Sequence, residues 1–218
     1  MAGSPLGGDV YRRPLLEAFT RISVAPGWRC ADVGAGSGDV SLLLAARVGG
    51  GGRVYAVDRS AAVAGEFARL VARAGATQVV PLVQPAEELA LPEPVDLAFC
   101  RFLLMHVVEP LAVLRRMAAT TRPGGYVVAQ EPITSAGRVG GVPMSMPDAR
   151  HPDIGALLPG LVSTCGCTLV SAWAEAPAGA GRGPVADFLE GLSGVDPGDD
   201  PIVLPVLVTV IARRQPPA

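Results

Sequence analysis

The chain has 218 residues, half of them hydrophobic, with a formal net charge of −2 and a pI near 5.7. That length fits one ordinary α/β domain over residues 1–218 with a sizeable core, and the composition excludes a disordered or coiled-coil protein. The mild acidity argues against a nucleic-acid partner, which would favour a basic face, and no apolar run is long enough for a membrane span.

Residues 1–9 lack the basic and apolar regions of a signal peptide, so a cytoplasmic protein is expected. Cys30, Cys100, Cys165 and Cys167 form no metal-ligand spacing, and only His106 and His151 could complete a zinc site. Buried structural thiols and no metal are expected. The chain contains no lysine and no asparagine, a bias of the kind a GC-rich genome imposes.

Residues 1–25 form an N-terminal segment with a helix from Leu15 to Ile22. A strand from Arg29 to Val33 leads into a glycine-dense turn and a helix from Val40 to Val48. A strand from Arg53 to Val57 and a helix from Ala61 to Ala74, closed by Gly75, follow. Val79–Val83 and Val95–Cys100 are short continuous apolar runs, as in a buried parallel sheet. Pro110 opens a helix from Leu111 to Thr120, which Arg122-Pro123-Gly124-Gly125 breaks before a strand from Tyr126 to Gln130. Residues 134–150, rich in Gly, Pro, Ser and Met, read as a short loop over the active site. The remaining expectations are a helix over Ile154–Thr164, a strand over Leu169–Ala174, a helix over Val185–Leu192, a strand over Ile202–Ala212 and a frayed tail. The alternation predicts a doubly wound, mainly parallel seven-stranded sheet with helices on both faces.

The turn, with Gly34, Gly36 and Gly38 after Cys30-Ala31-Asp32-Val33, has the form of a nucleoside site, because glycines let the backbone approach a ligand. Asp58, ending the next strand, can accept hydrogen bonds from ribose hydroxyls. A dinucleotide turn is spaced G-x-G-x-x-G; here the spacing is G-x-G-x-G, and Asp39 puts a carboxylate where a pyrophosphate would sit. Both features weigh against an NAD-dependent reductase.

The chain resembles the class I S-adenosylmethionine-dependent methyltransferases of the small bacterial, small-molecule type. The resemblance runs from about Pro26 to about Ala174. It rests on Ala31–Gly38, Val57-Asp58-Arg59-Ser60, Gln84–Leu89 (similar to the family's G-D-A-E-x-L), Val95–His106, and Leu114–Arg116 through Arg122–Gly125 to Glu131, in that order. It implies a Rossmann-like fold and S-adenosylmethionine as cofactor. Asp32 would approach the cofactor's amino-acid end. Gly34, Ala35, Gly36, Ser37 and Gly38 would pass beneath the methionine moiety and ribose. Asp58 would bind the ribose hydroxyls, with Arg59 beside the adenine. Ala86 and Glu87 would contact the adenine edge, and Cys100 and Arg101 would lie beside the sulfonium and amino group, largely through backbone. Pro85 departs from the pattern: the family usually has an Asp there that reads the adenine amino group, and Pro offers neither acceptor nor N–H.

Methyl transfer needs a base only if the acceptor must lose a proton, and His106 and Glu131 are the two candidates. Each also has an ordinary structural reading. Residues 100–103 lack the D/N/S-P-P-Y block of nucleic-acid amino-methyltransferases, and the missing Asn and Lys remove catechol-type and ribose-hydroxyl sites. What remains is metal-independent O- or C-methylation of a small-molecule acceptor, with natural-product tailoring the favoured setting. Pro85 and the short 134–150 loop also leave open a methyltransferase-fold enzyme that catalyses a cyclisation or rearrangement. A homodimer is compatible with everything above.

Overall fold

The computed structural model describes residues 10–194 and 196–216. In chain order the main elements are α1 (Arg12–Arg21), β1 (Arg29–Val33), α2 (Asp39–Val48), β2 (Arg53–Asp58), α3 (Ala61–Ala74), β3 (Val79–Val83), β4 (Val95–Arg101), α4 (Pro110–Thr120) and β5 (Thr121–Ile133). They continue as β6 (Arg138–Val139), β7 (Val142–Pro143), α5 (Leu158–Ser163), β8 (Cys167–Glu175), β9 (Ala178–Ala180), α6 (Pro184–Ser193), β10 (Pro201–Val203) and β11 (Val206–Arg214). The seven-stranded sheet has the order β3-β2-β1-β4-β5-β11-β8. Pairing is parallel from β3 to β5, and β11 lies antiparallel to both of its neighbours.

The central strands bury both faces. Cys30, Val54, Ala56, Leu97 and Phe99 join one core cluster with Phe19, Leu44 and Phe67. Ala31, Tyr55, Val57, Ala98 and Cys100 join the other with Leu114, Met117 and Leu158. Side chains one residue apart on a strand point to opposite faces, so a run that is apolar on both parities needs helices on both sides. Local signals set the helix ends: Ser60 Oγ accepts from the Val63 N–H at 3.3 Å, and Gly75 closes α3 in the left-handed conformation.

Several expectations are corrected. Arg122–Gly125 does not delay β5, which starts at Thr121; the register jumps from Val95↔Thr121 to Leu97↔Tyr126, so these residues bulge out of the strand. Residues 134–150 are not only loop: β6 and β7 form a hairpin about Gly140-Gly141, both at positive φ, as a tight turn between strands requires. That hairpin joins a second, four-stranded sheet of order β7-β6-β10-β9. The last expected strand divides into β10 and β11 around Leu204-Pro205, where proline supplies no ladder donor. The helix expected over Ile154–Thr164 divides into a 3-10 turn at Ile154–Leu157 and α5, with Pro159 in the first turn. His106 lies in a turn. The start of the N-terminal segment and the last two residues of the tail lie outside the described residues.

Candidate active site

In an open parallel sheet, ligands bind beyond the carboxyl ends of the strands where the strand order reverses, here between β1 and β4. The turn after β1 is held by its own backbone. The Gly34 and Ala35 N–H groups both donate to the Val57 carbonyl, at 2.8 and 2.9 Å. The Gly36 N–H donates to one Asp58 carboxylate oxygen at 3.0 Å and the Ser60 N–H to the other at 2.9 Å. The glycines play different parts. A Cβ at Gly38 would come within 1.9 Å of the Phe67 ring, so this glycine serves packing. A Cβ at Gly36 would meet nothing closer than the Gly34 carbonyl at 3.9 Å, so this glycine faces open space.

Three cavities meet beyond these strands. The first, about 190 Å³, is lined by Asp32, the 34–37 turn, Asp39 and Arg101. Asp32 is buried and accepts a 2.6 Å hydrogen bond from Ser41 Oγ. Burial pushes its carboxyl up to about 6, against the opposing pull of Ser41 and of Arg101. The same burial lowers Arg101, which Asp32 partly offsets. Asp39 stands in the first turn of α2, where its charge complements the helix dipole, and accepts from Ser37 Oγ at 3.0 Å.

The second cavity, about 280 Å³, is lined by Asp58 and Arg59 at the tip of β2, by Gln84, Ala86 and Glu87 beyond β3, and by Phe102, Leu103 and His106 beyond β4. Pro85 lines none of the cavities; it precedes the 3-10 turn Ala86–Glu88 and its carbonyl accepts from the Glu88 N–H. The Gln84 amide grips both the N–H and the carbonyl of Ala90, at 3.1 Å each, which fixes the segment that carries Ala86 and Glu87.

The third cavity, about 340 Å³, is walled by Tyr11, Phe102, Met105, His106, Met146 and Phe188. Phe102 lines all three cavities, and His106 lines the second and third. The His106 imidazole makes no hydrogen bond among the described residues, and the residue is exposed. Phe102 sits at φ +52, a conformation non-glycine residues rarely adopt.

The structure places Glu131 differently from an open base. It is fully buried inside β5, which runs on to Ile133, and it lines none of the three cavities. One of its oxygens accepts from the Leu103 and Leu104 N–H groups at 2.9 and 2.8 Å, the other from Met105 at 3.4 Å. Burial pushes its carboxyl up to about 7 despite those donors. Glu131 thus ties down the strap that carries Phe102 and His106. Cys100 is buried in the core and lines none of these three cavities, its thiol raised well above the ordinary range by burial.

The expected residues Asp32, Gly34, Ala35, Gly36, Ser37, Asp58, Arg59, Ala86, Glu87, Arg101 and His106 gather around these cavities, while Gly38, Cys100 and Glu131 stand behind them. Sequence reasoning missed Gln84, Phe102, Leu103, Phe188 and Leu192. Phe188 and Leu192, spaced i,i+4 on α6, could have been found as the apolar face of that helix.

The family model described as "Methyltransferase domain" matches residues 30–125, which hold β1 to β4, α4 and the Asp58 turn. Over that segment, which is less than half of the chain, the protein is similar to a methyltransferase domain. The ubiquinone biosynthesis O-methyltransferase of Xanthomonas campestris pv. campestris (strain B100) is 38% identical over 102 residues, covering 46% of this chain and 41% of that protein. The chain therefore spans less than half the length of this curated relative. A SAM dependent methyltransferase from Aquifex aeolicus superposes with a TM-score of 0.62 at 17% identity, over 91% of this chain and 88% of the other. The [4+2]-cyclase SpnF superposes with a TM-score of 0.66 at 17% identity, over 93% and 81%. These two likenesses concern the fold, and the two names differ in the chemistry they state.

Proposed function

We propose that the protein transfers a methyl group from S-adenosylmethionine to an oxygen or carbon of a small molecule. The observation that carries this reading is the meeting of a polar cavity, built on the Asp58 turn, with an apolar one at Phe102 and His106. The open face at Gly36 fits a ligand laid against the backbone.

Bound there, the cofactor would supply an electrophilic methyl on a sulfonium. Asp58 would accept from the ribose hydroxyls while its other contacts keep the Gly36 turn in shape. Asp32 and Arg101 would hold the charged amino-acid end in the smallest cavity. Arg59, Ala86 and Glu87 would flank the adenine, with backbone standing in for the acidic side chain Pro85 lacks. His106 would remove the acceptor's proton, since its ring borders both cavities and makes no competing bond among the described residues. Glu131 would position rather than react, by fixing the strap. The apolar walls would exclude water and orient the acceptor, which supplies much of the rate in displacement chemistry. An oxygen acceptor is the first choice, given the O-methyltransferase relative, and cytoplasmic natural-product tailoring is the setting that the composition suggests.

The test is titration with S-adenosylhomocysteine followed by turnover of methyl-labelled S-adenosylmethionine over a panel of small hydroxylated acceptors. Binding with label transfer is expected. Conversion of an acceptor without label would instead favour cyclisation or rearrangement, the reading that Pro85 and the SpnF likeness in fold keep in play. A thermal shift with NAD and none with S-adenosylhomocysteine would sink both.

A further inference from the structure

The 340 Å³ cavity has a chemistry of its own. Tyr11 meets Phe102 edge-on at 5.4 Å and 67°, and Phe188 at 5.7 Å and 79°. Three rings so arranged leave faces and edges toward a guest, which suits a flat ring system. Met105, Met146 and Leu192 complete an apolar wall, with the methionines able to adjust to an irregular outline.

The polar atoms of the lining are mostly spent. The Tyr11 hydroxyl donates to the Pro205 carbonyl at 2.7 Å, and burial raises that phenol far above its ordinary range. The Thr134 hydroxyl donates to the Pro152 carbonyl at 2.7 Å. No Asp, Glu or Arg among the described residues lines the cavity. His106 offers an uncommitted polar group, at the edge shared with the second cavity. A guest with several polar groups, or with a formal charge in the cavity, would leave them unmatched, and burial without a partner weakens binding, most of all for a charge.

We propose that this cavity binds a neutral, flat, ring-bearing acceptor whose single polar group faces His106. Carboxylates, ammonium compounds and phosphorylated acceptors are excluded by the same lining. Calling the guest an acceptor rests on the methyl-transfer reading; its selection rests on the lining alone.

The test uses the full chain and three probes of one shape: 2-naphthol, 2-naphthoate and 2-naphthylmethylammonium, followed by their fluorescence at neutral pH. The naphthol should bind at least about tenfold tighter than either ion. Leu192→Trp, which fills the cavity from the exposed end of α6, should weaken the naphthol at least about fivefold. Phe188→Ala should weaken it to a similar degree. Neither variant should alter the thermal shift given by S-adenosylhomocysteine, which also reports folding. Equal binding of an ion, or naphthol binding that ignores both substitutions, overturns the proposal. If S-adenosylhomocysteine gives no shift while the naphthol behaves as stated, the methyl-transfer reading falls and the cavity's selectivity stands.

Discussion

The two polar cavities on the glycine turn and the apolar third cavity are built in opposite ways. The former are made by backbone: glycines at positive φ, paired N–H groups and short-range carboxylates from adjacent strand tips. The latter is made by side chains brought from afar, as when Tyr11 bonds the carbonyl of Pro205 across 194 residues. A backbone site tolerates almost no substitution at its glycines but is indifferent to the ligand's apolar outline. A side-chain site can be reshaped residue by residue, so it is where specificity can change within one fold.

The sharpest way to break this contrast is within the turn itself. Gly38→Ala would drive a Cβ to 1.9 Å from the Phe67 ring at a φ of +86°. Overpacking and backbone strain together should cost about 2–5 kcal/mol, enough to lower the melting temperature by roughly 5–15 °C. Gly36→Ala, with open space around it and a φ of +51°, should cost about 1–2 kcal/mol of stability yet abolish most cofactor binding. Calorimetry and S-adenosylhomocysteine titration separate the two. If Gly36→Ala bound the cofactor normally, the open face would not be a ligand face.

This asymmetry also explains what could be read from the sequence. The glycine spacing, Asp58 and the apolar strands are local signals, and the central sheet and the polar cavities follow from them. The second sheet was not legible, because β9 and β10 are three residues each and gain their identity only by pairing, β10 with β6 across the chain and β9 with β10. Glu131 reads as a strand-end carboxylate at the ligand edge. Its inward turn depends on three N–H groups of the 103–105 strap, and nothing in the spacing announces them. Tyr11 carries no local mark of its place as a wall of the third cavity, because its partners Phe102 and Phe188 lie far along the chain.

A smaller effect is expected at Asp58. Asp58→Asn retains shape and an acceptor oxygen but removes the charge that strengthens hydrogen bonds to ribose. A loss of about 1.5–3 kcal/mol, or roughly 10–100-fold in cofactor affinity, is expected. Binding of an acceptor analogue in the third cavity should be unchanged, because Asp58 does not line it. Parallel titrations of the two ligands check this. Equal weakening of both would mean that the cavities are not separable.

A last effect concerns the two buried carboxyls among the described residues, Asp32 at the edge of the first cavity and Glu131 behind the strap. Burial raises Glu131 from 4.5 to about 7 and Asp32 from 3.8 to about 6, so between those values the folded chain holds more protons than the unfolded one. Stability from these groups is therefore fully present at low pH and is lost as pH rises through about 6 and then 7. A tenfold difference in proton affinity between folded and unfolded chain is worth about 1.4 kcal/mol, and the two carboxyls together span several such steps, so a fall of roughly 5–15 °C in melting temperature is expected between pH 5 and 8. Glu131→Gln keeps an oxygen for the Leu103 and Leu104 donors, loses only the longer contact to Met105, and cannot titrate. It should fold, flatten the upper part of that pH dependence, and leave cofactor affinity intact. Glu131→Ala, which abandons all three donors, should instead raise the acceptor KM as the strap bearing Phe102 and His106 loosens. A wild-type melting temperature that rises from pH 5 to 8, with Glu131→Gln following the same curve, would show that this carboxyl is not held protonated by its burial.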